Sequence, residues 1–190
     1  MAQILLGARG GKRVMTQNTK LVIESNLQAF FFEHLFEINN QTSNPLSLET
    51  IYYSSTVLNN FSDSSKLYEQ VNEKTKEKIL GIKLMESSQF PREKQRVILK
   101  DIAETSLFLC GYFSESLNKK IVDIRYYEEV GKIAYLRLNS FAPDFFDVPS
   151  FYKIMSEKFD DVTFLLRVFA KKYLEECDPY KNSLIGNIKV

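Results

Sequence analysis

The sequence predicts a mostly α protein, a single-domain helical bundle of six to seven helices with short β-strands at the two termini. Apolar residues recur at helical spacing in at least five segments, as in helices packed around a common core. The 190 residues include only 7 Gly and 5 Pro, too few for a sandwich or barrel with many turns. A chain of this length fits one domain of roughly 100–200 residues.

The chain divides into an N-terminal arm (1–18), a helical domain (19–176) and a C-terminal tail (177–190). The arm and the tail each contain a short apolar run, at residues 4–6 and 184–190. We expect these runs to pair with each other or with a second chain, because a strand this short is not stable alone.

The first half of the domain begins with two helices. Residues 19–38 carry apolar side chains at helical spacing, and the pair Asn39 and Asn40 ends this helix. A second helix begins after Ser47. It continues into an aromatic segment with the tyrosine pair Tyr52 and Tyr53, of which one ring should face the core and the other the solvent.

A charged segment follows these helices. We expect a short helical turn at residues 67–71. Residues 72–88 place opposite charges at helical spacing and then become apolar, which predicts another helix. Its solvated face would carry i,i+4 ion pairs among Glu73, Lys74, Lys76, Glu77 and Lys78.

The second half begins with a long helix. Pro91 suits its first turn, and the helix should end near Leu117. Within it, residues 107–113 are apolar on every side, which indicates a central, buried helix. Asp123 is the expected N-cap of the next helix, whose Gly131 permits a close approach to residues 107–113.

The last elements are a Pro-bounded connection (141–149), a short helix (150–158) and a long helix (160–175). Together these patterns predict a core that contains Leu27, Phe31, Leu35, Ile98, Ile102, Leu109, Phe113, Tyr127, Ala134, Leu138, Leu165 and Phe169.

Composition limits the compartment and the partners. The formal net charge is +1, so no global field attracts nucleic acid, and a nucleic-acid partner is not expected. No stretch reaches the roughly 18 apolar residues of a membrane span. Cys110 and Cys177 do not form a disulfide framework, and Cys110 is expected to be a small core residue. The cytoplasm is the expected location.

The sequence does not assemble a catalytic or cofactor site. His34 is the only histidine, and it lies on the apolar side of the first helix as a structural residue. A P-loop at Gly11 and Lys12 would need a glycine at position 6, where Leu6 stands, and a hydroxyl at Arg13. We therefore expect no cofactor and no metal, and an enzyme is the least favoured class.

Five residues are candidates for an interface or a polar network. Glu49, Glu104 and Arg125 are the charged groups nearest the aromatic segments, and buried charges need partners. The candidate set adds a tyrosine from each of two pairs, Tyr53 and Tyr126. Exposed tyrosines also favour partner interfaces.

The segments 107–138 and 49–61 resemble an uncharacterised helical protein family of predatory and social delta-group bacteria. The shared pattern is an apolar helix with a glycine, a Phe-x-x-Ser-Leu ending, and then an aspartate and a Tyr-Tyr helix. Here the matching residues are Gly111, Phe113, Ser116, Leu117, Asp123, Tyr126 and Tyr127. The resemblance covers about residues 20–175 and implies a whole-domain helical fold in a bacterial protein. It adds no catalytic residue.

These observations favour a cytoplasmic helical protein-interaction or regulatory module without catalytic activity, with a protein partner or a homodimer. The alternative is a small apolar-ligand-binding helical protein with an aromatic-lined pocket between its helices.

Overall fold

A computed structural model describes residues 14–71, 74–117, 123–141, 145 and 147–174. The fold is mostly α-helical, as predicted, with one small two-stranded sheet among these residues. The two terminal runs that we expected to pair lie outside the described residues. So do Cys177 and the two connections around Asn118 and Pro143.

The described residues form seven α-helices of seven residues or more, one single-turn helix and one β-hairpin. In chain order the elements are α1 (Val14–Asn39), α2 (Leu48–Asn60), β1 (Tyr68–Val71), β2 (Lys74–Glu77), α3 (Leu80–Glu86), α4 (Arg92–Tyr112), α5 (Ser114–Leu117), α6 (Ile124–Leu138), α7 (Phe151–Glu157) and α8 (Phe159–Leu174). Short 3₁₀ turns at Ser64–Leu67 and Ser87–Gln89 precede β1 and α4.

Helix α4 is the centre of the fold. It packs most extensively against α6 and α8 and also contacts α2 and α3. Residues 102–108 are all buried, but the apolar run at 107–113 is buried only in part, because Leu109, Tyr112 and Phe113 are half-buried. Gly111 allows α8 to approach, since a Cβ there would lie 2.5 Å from the Cβ of Leu166.

Gly131 holds the second close contact with α4. A Cβ at Gly131 would lie 2.8 Å from the Cβ of Ser106 on α4 and 2.6 Å from the ring of Phe159 on α8. No real side chain fits into such distances without a backbone shift. The close approach expected at Gly131 is therefore present. Its contact on α4 is Ser106, one residue before the predicted segment 107–113, and α8 is an additional neighbour.

The expected N-cap at Asp123 is observed, and Ser47, after which the second helix was expected to start, is also an N-cap. The Ser47 hydroxyl accepts a hydrogen bond from the backbone N–H of Thr50 at 3.3 Å, and Asp123 accepts one from the N–H of Tyr126 at 3.3 Å. Such caps satisfy N–H groups that have no partner within the helix. Pro91 precedes α4, but this helix ends at Tyr112, and α5 follows as a separate turn.

The helix expected at residues 72–88 is observed only in part: its apolar end forms α3 (Leu80–Glu86), whereas its charged start was predicted wrongly. Residues 68–71 and 74–77 form the antiparallel hairpin of β1 and β2, with Tyr68 opposite Glu77 and Val71 opposite Lys74. A segment this short without an apolar stripe fits a strand as well as a helix, because alternating charges satisfy both periods. The ion pairs consequently run between elements: Lys78 and Lys83 both bind Asp101 on α4.

About half of the predicted core is fully buried and half lies at its edge. Leu35, Ile102, Ala134, Leu138, Leu165 and Phe169 are buried, whereas Leu27, Phe31, Ile98, Leu109, Phe113 and Tyr127 are half-buried. The predicted core omitted three of the largest buried rings, namely Tyr135, Phe151 and Phe159. These rings come from segments whose neighbours in space are remote in sequence.

We predict that Gly131→Leu destabilises the fold, because the new side chain must push α6 away from Ser106 and Phe159. Overpacking of this kind costs about 1–3 kcal/mol of unfolding free energy. Thermal unfolding followed by circular dichroism measures the effect. Arg125→Leu adds an apolar side chain at an exposed position of the same helix and should leave the melting temperature nearly unchanged. Equal melting temperatures for the two variants would contradict the close packing.

Candidate functional site

The structure brings together two of the five candidate residues. Tyr53 on α2 donates a hydrogen bond from its hydroxyl to Oε1 of Glu104 on α4, at 2.8 Å. Glu49 is half-buried in the first turn of α2, and Arg125 is exposed on α6. Neither makes a hydrogen bond or ion pair to the Tyr53–Glu104 pair within the described structure. The five residues are thus not one network.

Tyr126, the fifth candidate, lies at a different contact. Its hydroxyl accepts a hydrogen bond at 2.8 Å from the backbone N–H of Gly81, in the first turn of α3. Its neighbour Tyr127 is half-buried, and the two rings meet edge to face at 5.1 Å. Tyr126 therefore links α6 to α3 rather than joining the polar residues around Glu104.

Aromatic rings enclose the Tyr53–Glu104 pair. The Tyr53 ring lies edge to face with four others, at centroid distances of 5.1–6.2 Å, from Tyr135, Phe145, Phe151 and Tyr152. Glu104 is 9 % exposed. A cation lies nearby at Lys100, one turn earlier on α4, whose Nζ is 3.7 Å from Oε1.

Burial controls the electrostatics of this centre. Desolvation raises the pKa of Glu104, although Lys100 and the Tyr53 hydroxyl partly oppose the shift. Desolvation also raises the pKa of Tyr53 and Tyr135 well above the ordinary tyrosine value. The Tyr135 hydroxyl is near enough to influence Tyr53 but makes no hydrogen bond of ordinary geometry in the described structure. The Tyr53–Glu104 hydrogen bond connects α2 to α4 and is enclosed by aromatic rings, so its evident role is to hold the two helices together.

The other chemically notable residues are also structural. Cys110 is buried, and burial raises the pKa of its thiol far above the usual range, which suppresses the reactive thiolate. His34 is half-buried on α1, with its ring edge to face at 4.3 Å from Phe30 and Nδ1 3.6 Å from the Glu37 carboxylate. Within the described ranges, His, Cys, Asp and Glu side chains form no cluster of three or more suited to a metal.

An exposed aromatic surface lies on the α1–α2 hairpin. We call it the hairpin seam and define it by Phe32, Phe36, Leu48 and Tyr52. The rings of Phe32 and Phe36 stack at 6.1 Å, and Phe32 meets Tyr52 edge to face at 6.3 Å. Exposed fractions are 41 % for Phe36, 54 % for Leu48 and 40 % for Tyr52.

The seam follows from the antiparallel packing of the two helices. Phe32 and Phe36 are one turn apart on α1, and Leu48 and Tyr52 are one turn apart on α2. The next pair along the seam is polar, since Gln28 donates a hydrogen bond to the Thr56 hydroxyl at 3.1 Å. The apolar part therefore ends at a polar boundary.

The segment that carries the seam is acidic. From residue 21 to residue 65 the sequence contains no lysine or arginine, although the whole chain has 25 of them. The same stretch contains the carboxylates Glu24, Glu33, Glu37, Glu49 and Asp63. This local lack of lysine and arginine is the sequence signal that could have indicated the seam. It is not visible in the net charge of the whole chain, which is +1.

A surface depression of about 580 Å³ lies between the end of α3, the start of α4 and the end of α6. Its lining consists of Met85, Ser87, Ser88, Gln95, Leu99, Arg137, Ser140 and Phe141. It is open to solvent, and Phe141 is the one aromatic side chain in that lining. The depression thus differs from the aromatic-lined pocket expected for an apolar-ligand binder.

No protein-family model matches the chain, and neither does any curated protein or solved structure. In the part of the chain that the structure describes, no helix has both the length and the apolar content of a membrane span.

We predict that Glu104→Gln makes the protein more stable at neutral pH. The folded-state pKa of Glu104 is raised, so the folded state binds the proton more tightly than the unfolded state. Glu104 therefore lowers stability as pH rises from its unfolded pKa of about 4.3 through the raised folded value. Glutamine keeps an acceptor for the Tyr53 hydroxyl and carries no charge.

Urea unfolding of wild type and Glu104→Gln, measured between acidic and neutral pH, tests this. The stability advantage of the variant should grow with pH over that window and then become constant. Tyr53→Phe is the matched control, since it removes the donor and should cost about 1 kcal/mol of unfolding free energy. A pH-independent difference between wild type and Glu104→Gln would show that Glu104 titrates normally.

Proposed function

We propose that this chain is a helical protein-interaction module and that the hairpin seam is its binding surface. The observation that supports this most directly is the exposure of Phe36, Leu48 and Tyr52 on two packed helices, beside the half-buried Phe32 ring that contacts Phe36 and Tyr52. Contiguous exposed apolar surface on a folded domain commonly marks an interaction site. Aromatic side chains are enriched at the centres of protein interfaces.

A second exposed apolar strip lies on and beside α3, but its composition is less typical of an interface than that of the seam. Ile79, Ile82 and Met85 are exposed on and beside α3, but all three are aliphatic or thioether side chains on one short element. The other exposed apolar residues include Val97 and Phe164, on the separate helices α4 and α8. The seam differs because its rings contact one another across two helices.

The buried chemistry is consistent with a role in recognition. The Tyr53–Glu104 pair is enclosed by rings, and the Cys110 thiol is held protonated in the core. A cytoplasmic, bacterial setting for the module remains part of this proposal and rests on the sequence composition and on the family resemblance. A regulatory role would operate through the same surface, by controlling what the partner can contact.

We predict that a photo-crosslinking phenylalanine analogue at Leu48 captures a partner protein in cells that produce the chain. The same analogue at Phe164, which is similarly exposed on α8, should not capture it. The captured protein is then identified, purified and titrated against the wild-type chain. Loss of a central interface ring typically weakens binding by more than about 1 kcal/mol, so Phe36→Gln should bind at least about fivefold more weakly.

Ile82→Gln supplies the control for this titration, since it removes an apolar side chain of similar exposure outside the seam. Its affinity for the partner should equal that of wild type. Equal capture at Leu48 and Phe164, or equal binding by Phe36→Gln and wild type, would refute the seam as the interaction surface. Capture of only a second copy of the chain would assign the seam to a homodimer.

A further inference from the structure

We propose that the partner segment bound at the hairpin seam is a basic amphipathic helix. This inference rests on the proposed interaction function and adds the shape and charge of the occupant. Three observations support it: the spacing of the seam residues, the sign of the charges around them, and the repulsion that a second copy of the chain would meet.

The spacing of the seam matches a helix. Phe32 contacts Tyr52 across α1 and α2, and Gln28 contacts Thr56 one turn away. One turn in the other direction, the same register places Phe36 opposite Leu48. A helix laid between two antiparallel helices presents apolar side chains at i, i+3, i+4 and i+7, which recur at the same pitch. The seam can therefore accept two successive turns of an apolar helical face, and the polar Gln28–Thr56 pair limits the contact at one end.

The charges select a basic helix. Glu33 and Glu37 stand one turn apart on the exposed side of α1, each next in sequence to a seam phenylalanine. Glu37 lies near Lys172 on α8, at 3.8 Å, and near His34 on its own helix, whereas Glu33 is exposed directly beside Phe32 in the sequence. With no lysine or arginine between residues 21 and 65, the polar face of a bound helix would meet carboxylates.

The same charges disfavour self-association through the seam. A symmetric dimer would bring Glu33 and Glu37 towards the equivalent acidic helix of its copy. Like charges facing each other across an interface oppose binding, whereas lysine or arginine at those positions would be attracted. The occupant consistent with both the aromatic rings and the carboxylates is thus a separate, positively charged amphipathic helix.

A designed peptide tests the inference without knowledge of the natural partner. The probe is a leucine–lysine helix of about 18 residues, roughly 27 Å long, with leucines on one face. Its two controls are the leucine–glutamate helix of the same pattern and a scrambled leucine–lysine peptide with no apolar face. Binding to the full chain is followed by fluorescence anisotropy at about 0.15 M salt, where distant charges are screened.

The basic helix should bind at least about tenfold more tightly than either control peptide. Phe36→Gln should weaken its binding about tenfold, and Ile82→Gln should not change it. The double variant Glu33→Gln, Glu37→Gln should lose most of the preference for lysine over glutamate. Circular dichroism of each variant checks that the fold is intact.

Two results would overturn the inference: equal binding of the basic and acidic helices, or equal binding of the scrambled peptide. Unchanged binding by Phe36→Gln would likewise place the peptide elsewhere on the surface. These outcomes differ from a failure of the interaction function itself. If the partner captured at Leu48 carries no basic helix, the interaction function at the seam is retained, and only the proposal that a basic helix binds there is refuted.

Discussion

Close packing around helix α4 is the constraint on which the rest of the structure depends. Gly111 and Gly131 remove two side chains where α8 and α6 come nearest to it, and the Cβ distances there leave no room for replacements. Because α4 is buried along its middle turns, its partners must cover it from several sides. The α1–α2 hairpin joins this core where α1 packs against α8 and where Tyr53 on α2 bonds to Glu104 on α4.

The buried carboxyl of Glu104 shows how a polar group is retained in such a core. A charged carboxylate without partners would be costly there, and its raised pKa reflects that cost. The Tyr53 hydroxyl supplies a hydrogen bond, and Lys100 supplies a nearby positive charge at the edge of the core. The pair specifies how α2 sits on α4, because an apolar contact of the same size would tolerate sliding.

The position of α2 in turn creates the hairpin seam. Tyr53 points into the core, so Tyr52, the preceding residue on the helix, points outward beside Phe32. The same helix thus contributes one tyrosine to stability and the other to the exposed surface. A surface built on two packed helices is rigid, which lowers the entropic cost of binding a partner.

Much of the helical architecture could be predicted from local signals. The caps at Ser47 and Asp123, the proline before α4 and the apolar run at its C-terminal end depend on neighbouring residues alone. The hairpin at residues 68–77 could not be predicted in this way, because its short charged segments carry no apolar stripe. Its form depends on pairing between the two strands, and Glu69 on β1 also forms an ion pair with Lys83 on α3.

The sequence by itself determined that this protein is helical, where several helices begin, and that its middle helix is buried. Only the tertiary structure decided which aromatic rings are covered, since helical periodicity fixes a face but not the neighbour that packs on it. Tyr53 and Glu104 are 51 residues apart in the chain, and no local pattern links them. The exposure of Phe36 and Leu48 has the same origin, because they lie on the side of the hairpin that no other described element covers.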